Sequence, residues 1–215
     1  MSETLDTLDL VTWLTAYRDA VTEQRAWLTE LDSAIGDADH GANMARGMGA
    51  VVDKLDQGVP ATVDELLKSV GMTLVSSVGG ASGPLYGTFF LRMGMSAGAV
   101  PSLDGPALAA TIRAGLDGIV ARGKAELGDK TMFDAMAPAV DALDAALAGG
   151  ASLADATAAA AAAAVAGRDA TVPLVARKGR ASYLGERSAG HMDPGAASTA
   201  ILFETLASTV AGPGR

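Results

Sequence analysis

Three features of this 215-residue chain predict an all-α fold. Apolar residues recur at spacings of three, four and seven in eight successive segments, the period of a helix with one buried face. The hydrophobic share is 49%, yet aromatic residues supply only 4% and alanine is abundant. Such a composition suits closely packed helices better than a β-sandwich, which draws on Val, Ile, Thr and Tyr. No stretch shows a convincing apolar–polar alternation of the kind a strand requires.

The first helix is marked by Leu10, Leu14, Tyr17, Val21, Leu28 and Leu31, a long amphipathic run that ends at an Asp-Gly loop. A second starts near Gly41, carries Met44, Met48, Val51 and Leu55, and stops around Gly58-Val59-Pro60. Thr62 and Glu65 have the spacing of a capping box for the third, with Leu66, Leu67, Val70 and Leu74 on its apolar side. Gly79-Gly80-Ala81-Ser82-Gly83-Pro84 breaks the chain before a fourth, which bears Phe89, Phe90 and Met93. Asp104 caps a fifth, with Pro106 in the first turn, where its missing N–H costs nothing. Thr131 and Asp134 open a sixth, in which Pro138 predicts a kink or a late start. Ser152 and Asp155 cap a seventh, running through the alanines at 158–164. An eighth spans about Gly195 to Val210. The interval 170–194 is too long for an ordinary connection, and such loops in compact domains usually carry function or are disordered. With no linker or internal repeat, one domain over 1–215 is expected, as an antiparallel helical bundle or barrel.

Charge and composition exclude several classes. A net charge of −9 gives no long-range attraction for nucleic acid. Cysteine is absent, which removes disulfides, thiolate catalysis and Cys-ligated zinc. The start, MSETLDTLDL, has neither the basic nor the apolar region of a secretory signal. The most apolar late segment contains Glu204 and several hydroxyls, so it reads as a buried helix and not a membrane span. A cytoplasmic location is expected.

Four loops concentrate the chemistry-bearing residues. LDSAIGDADHGANM, 31–44, brings Asp32, Asp37 and Asp39 together with glycines. Hard divalent cations take oxygen ligands, and Mg²⁺ combines few carboxylates with water and phosphate. An EF-hand is excluded, because no glutamate follows before Glu65. Spacing alone serves an ion site and a set of solvated turn and capping residues equally well. GGASGPLYG, 79–87, has glycines that let backbone N–H groups approach a phosphate at a helix start, yet close helix packing explains it as readily. RGKAELGDKTMFD, 122–134, offers Met132 and Phe133 as the wall of a flat base or as ordinary core. The long loop gathers Lys178, Arg180 and Arg187 in an otherwise acidic protein.

Taken together, GDADHGANM (36–44), GGASGPLYGTFF (79–90), GDKTM (128–132) and KGRASYLGERSAGHMDPGAAST (178–199) resemble, in content and order, the L subunit of dihydroxyacetone kinase. The resemblance implies a closed barrel of eight antiparallel helices with a nucleotide site in the loops at one end. Asp32, Asp37 and Asp39 would hold two Mg²⁺ ions that bridge the phosphates of ADP or ATP. His40, Gly41, Ala42 and Asn43 would meet phosphate, as would Ala81 and Ser82. Gly123, Met132, Arg180 and the Asp193-Pro194-Gly195 turn would frame base and ribose. The resemblance assigns no general base to this chain. Dihydroxyacetone is held on a partner K subunit in this family, so the chain alone should be inactive. One branch uses ATP as an exchangeable donor. In the other, expected here, bound ADP is rephosphorylated by an M subunit of the phosphotransferase system. Other options are a kinase for a related ketose such as erythrulose, and a regulatory Mg-nucleotide module that binds a transcription factor; a homodimer is also allowed. Prenyl-diphosphate enzymes are disfavoured by the lack of paired D-D-x-x-D runs.

Overall fold

The computed structural model describes residues 4–212, so the first three residues of the MSETLDTLDL stretch lie outside it. The fold is mostly helical, as the periodicity predicts. The helices are α1 (Thr7–Glu23), α2 (Arg25–Ile35), α3 (His40–Leu55), α4 (Val63–Ser77), α5 (Ser82–Ala97), α6 (Gly105–Gly123), α7 (Met132–Ala148), α8 (Leu153–Ala170) and α9 (Pro194–Val210). Two short strands, β1 (Thr4–Asp6) and β2 (Ser102–Asp104), pair antiparallel with Leu5 opposite Leu103. This pairing escaped the sequence because three residues are too few to display alternation.

The long first helix expected from residues 10–31 is two helices. The chain turns at Gln24 (φ −89°, ψ 11°), whose N–H still bonds the Ala20 carbonyl. The apolar period continues across the break, and neither proline nor glycine marks it. Asp6 and Asp9 form a capping box at the start of α1. Asp104 caps α6, with Pro106 in its first turn. Thr131 and Asp134 form the expected box on α7, and Ser152 caps α8. Thr62 is different: its hydroxyl donates to the Asp64 carboxylate (2.7 Å) and caps no backbone N–H of α4. Pro138 lies inside α7 without delaying its start.

Packing follows chain order. From α3 to α9 each helix packs on the next, α9 returns to α1, and α1 lies against α3. The core holds Trp13, Tyr17, Phe89, Phe90 and Phe203. The Phe89 and Phe90 rings meet edge to face at 5.2 Å, and the Trp13 indole donates to the Leu202 carbonyl (3.0 Å). The alanine run of α8 is ordered helix, with Ala156, Ala160, Ala161 and Ala164 buried against α7 and α9. Small side chains let these helices approach so closely that a Cβ on Gly167 would sit 2.2 Å from the Asp134 carbonyl oxygen. The 170–194 interval contains a 3-10 segment, Arg180–Ser188, that packs on α2 through Ala181, Leu184 and Ile35. Among the described residues, no helix is long and apolar enough to cross a membrane.

Antiparallel succession puts alternate helix starts at the same end. The first residues of α3, α5, α7 and α9 all line one cavity of about 180 Å³.

Candidate functional site

The acidic loop forms one wall of that cavity. Asp32 occupies the last turn of α2 and is 8% exposed. Its Oδ2 accepts from the N–H groups of Asp39 (2.8 Å) and His40 (3.1 Å), so it caps α3 from a neighbouring helix. A Cβ on Gly36 would lie 2.0 Å from Asp32 Oδ1, which is why glycine stands there. Ala38 has φ 61°, a left-handed conformation that is strained for a residue with a Cβ and is frequent at functional turns. The result is a cluster in which one oxygen from each of Asp32, Asp37 and Asp39 lies within 4.8 Å of the others. Carboxylates at this range repel one another, and positive charge among them relieves that repulsion. Here the Arg180 guanidinium supplies some, 2.9 Å from Asp37 Oδ2.

A second wall is the glycine-rich turn before α5. Gly80 has φ 65°, and a Cβ on Gly79 would sit 2.8 Å from Asn43 Oδ1. Asn43 therefore supports this turn from behind, tied by Arg46, which also donates to the Ser77 carbonyl (3.1 Å). His40 lies between the two walls. Its Nδ1 is 3.1 Å from Ser82 Oγ and its Nε2 is 2.9 Å from Ser198 Oγ. Burial lowers its pKa against the opposing pull of Asp32 and Asp39, so the ring is held neutral. Ser198 Oγ also lies 3.1 Å from the Gly195 carbonyl oxygen; when it donates there, His40 Nε2–H donates to Ser198 and Nδ1 accepts from Ser82. Tyr86 extends the network to Ser198 (2.8 Å) and Thr199 (3.0 Å).

The remaining wall comes from α7, α9 and the 3-10 segment. Asp193 caps α9, accepting from the Ala196 N–H at 2.7 Å. Burial pushes its pKa up to about 7. Pro194, Gly195, Met132, Lys178 and Arg180 also line the cavity.

Eleven of the fifteen metal- and nucleotide-binding residues that the resemblance implies line the cavity: Asp32, Asp37, Asp39, His40, Ala81, Ser82, Met132, Arg180, Asp193, Pro194 and Gly195. Four lie outside its lining. Gly41 faces α2, where a Cβ would meet the Arg25 carbonyl oxygen at 2.2 Å. Ala42 and Asn43 follow it into α3, and Gly123 ends α6 beside Leu85. Sequence reasoning missed Tyr86 and Lys130 as lining residues. Both stand inside motifs quoted above, but nothing in a sequence reveals a buried lysine.

Helix N-termini carry partial positive charge and unpaired N–H groups, so four of them around one cavity favour an anion. Three carboxylates on its rim favour a hard cation. A mostly helical protein with both features is suited to a phosphate chain carrying its metal. The DAK2 domain family matches residues 34–208. The ADP-binding subunit DhaL of the PEP-dependent dihydroxyacetone kinase of Escherichia coli K12 is 47% identical over 203 residues, 94% of this chain and 97% of that protein. The ADP-binding subunit DhaL of the PTS-dependent dihydroxyacetone kinase of Lactococcus lactis is 47% identical over 208 residues, 97% of this chain and 99% of that one. The crystal structure of the dihydroxyacetone kinase of C. freundii in complex with AMP-PNP and Mg²⁺ superposes with a TM-score of 0.71 at 28% identity. It covers 92% of this chain, which spans 33% of that larger one. The chain belongs to the DhaL family of DAK2-domain proteins.

Proposed function

We propose that this chain is the nucleotide-binding subunit of a dihydroxyacetone kinase, holding ADP or ATP with two Mg²⁺ ions and serving a partner K subunit that carries dihydroxyacetone. The observation that carries this reading is the acid triad, within 4.8 Å, on the wall of one cavity that four helix N-termini also line. The oxygen-only donor set of Asp32, Asp37 and Asp39 fits Mg²⁺. The metal supplies neutralisation of charge on the phosphates as it shifts during transfer.

The chain's own groups position and exclude. Asp32 holds the turn, leaving Asp37 and Asp39 toward the cavity. His40, Ala81 and Ser82 offer polar groups to phosphate at the starts of α3 and α5, with Gly41, Ala42 and Asn43 shaping those starts from behind. Met132, Gly123, Arg180 and Asp193-Pro194-Gly195 frame the base and ribose. Phosphoryl transfer depends mainly on placement and charge, and little on proton transfer. We therefore assign no general base to this chain. The acceptor therefore needs the K subunit, and the chain alone should not phosphorylate sugar.

High identity to PEP- and PTS-dependent relatives supports ADP as a retained cofactor, rephosphorylated by a phosphotransferase-system M subunit. Residues 1–215 act as one nucleotide-binding domain in the cytoplasm. The packing sequence α1, α3, α4 through α9 and back to α1 supports a closed antiparallel barrel of eight helices, with α2 set against α3 at the site end.

The test is equilibrium binding of ADP with magnesium. The wild type should retain ADP through dialysis and lose it on chelation. Asp37→Ala and Asp39→Ala should each lose at least 100-fold in affinity, with helical content by circular dichroism unchanged. Tight binding by either variant would refute the metal assignment.

A further inference from the structure

Lys130 is 1% exposed, a burial that lysine tolerates only when its ammonium is fully bonded. Its Nζ lies 2.7 Å from the Thr171 carbonyl oxygen, 3.1 Å from that of Leu174 and 3.3 Å from that of Val172, and it donates also to the carbonyl of His191. All four acceptors are backbone. Three belong to the point where the chain leaves α8, and the fourth to its return toward α9. The backbone of Lys130 is itself left-handed (φ 63°), so the side chain is aimed there at a conformational cost.

The segment between these feet has no strand ladder to pair its carbonyls, and a loop of this length is entropically expensive to order. It nevertheless delivers Lys178, Gly179, Arg180 and Ala181 to the cavity wall. Arg180 reaches Asp37 on the opposite wall at 2.9 Å. Neighbouring bonds reinforce the feet: Gly190 N–H to the Val172 carbonyl (2.8 Å), and Arg177 N–H to the Asp129 carbonyl (3.1 Å). A compact ammonium, with three donors and free rotation, suits a nest of carbonyls better than a planar guanidinium.

We propose that Lys130 is a positioning residue whose ammonium staples both feet of the 171–191 segment and thereby sets Arg180 across the cavity from the acidic loop. The link to nucleotide rests on the function proposed above; the staple itself does not.

The experiment uses the full chain. In nucleotide-free wild type at neutral pH, the Lys130 ammonium protons should exchange slowly enough to give a resolved ¹H–¹⁵N signal, unlike those of surface lysines. In Lys130→Ala, amides of 174–191 should exchange with solvent at least tenfold faster while those of α4 and α5 are unchanged, and ADP–Mg affinity should fall at least tenfold. Propylammonium replaces the deleted atoms, so it should restore both; 1-propanol has the shape without the charge and should restore neither. Unaltered exchange in 174–191, or equal rescue by 1-propanol, overturns the staple. A loosened segment with ADP affinity intact overturns its link to the site. Failure of the wild type to bind ADP sinks the nucleotide reading alone, and the exchange data still judge the staple. Should Lys130→Ala not fold, the wild-type ammonium signal decides, and its absence refutes the proposal.

Discussion

Asp193 shows how a single carboxylate can be both structural and costly. Its oxygen caps α9, yet burial raises its pKa to about 7 from the usual 3.8. A raised pKa means that the folded chain holds a proton which the unfolded chain releases. The corresponding stability is complete below about pH 4 and is lost as pH rises toward about 7. Asp193→Asn keeps the capping oxygen and does not titrate. Thermal melts of metal-free protein should therefore show wild type losing stability relative to Asp193→Asn between pH 4 and pH 7. A constant difference across that range would mean that Asp193 ionises freely. At this scale the sequence was informative where the chain itself brings groups together, as at Asp32, Asp37 and Asp39. It was silent on Lys130 and on Tyr86 as a site residue, since burial of a polar side chain depends on partners 41 to 113 residues away.

Among the helices, the two Thr-x-x-acid signatures separate pattern from geometry. Thr131 accepts from the Phe133 N–H while Asp134 accepts from the Thr131 N–H (2.8 Å), so the start of α7 is fixed at the cavity's edge. Thr62 makes no cap bond to α4. Thr131→Ala should cost about 1 kcal/mol of stability, and Thr62→Ala clearly less, in parallel denaturant titrations. Equal losses would show that the spacing alone is sufficient. The starts of α3 to α9 were legible because caps, glycines and prolines act locally. The break at Gln24 was not, because packing of α1 on α9 and of α2 on α3 imposes it from outside the segment. Gly41 makes the same point: it looks like a phosphate-loop glycine, yet its missing Cβ is filled by α2.

The molecule as a whole is polarised. Helix starts at α3, α5, α7 and α9, the acid triad and the 3-10 segment share one end. A helix of 17 residues such as α7 is about 25 Å long, so the Gly149-Gly150 turn lies far from the cavity. That separation makes the two ends unequal under engineering. A short flexible insert at Gly149-Gly150 should leave ADP–Mg affinity within twofold, whereas the same insert between exposed Leu127 and half-buried Gly128 should lower it at least tenfold; calorimetry on both decides. The distal turns thus offer permissive sites where a fluorophore, an affinity handle or a fused reporter could be grafted without silencing the chain.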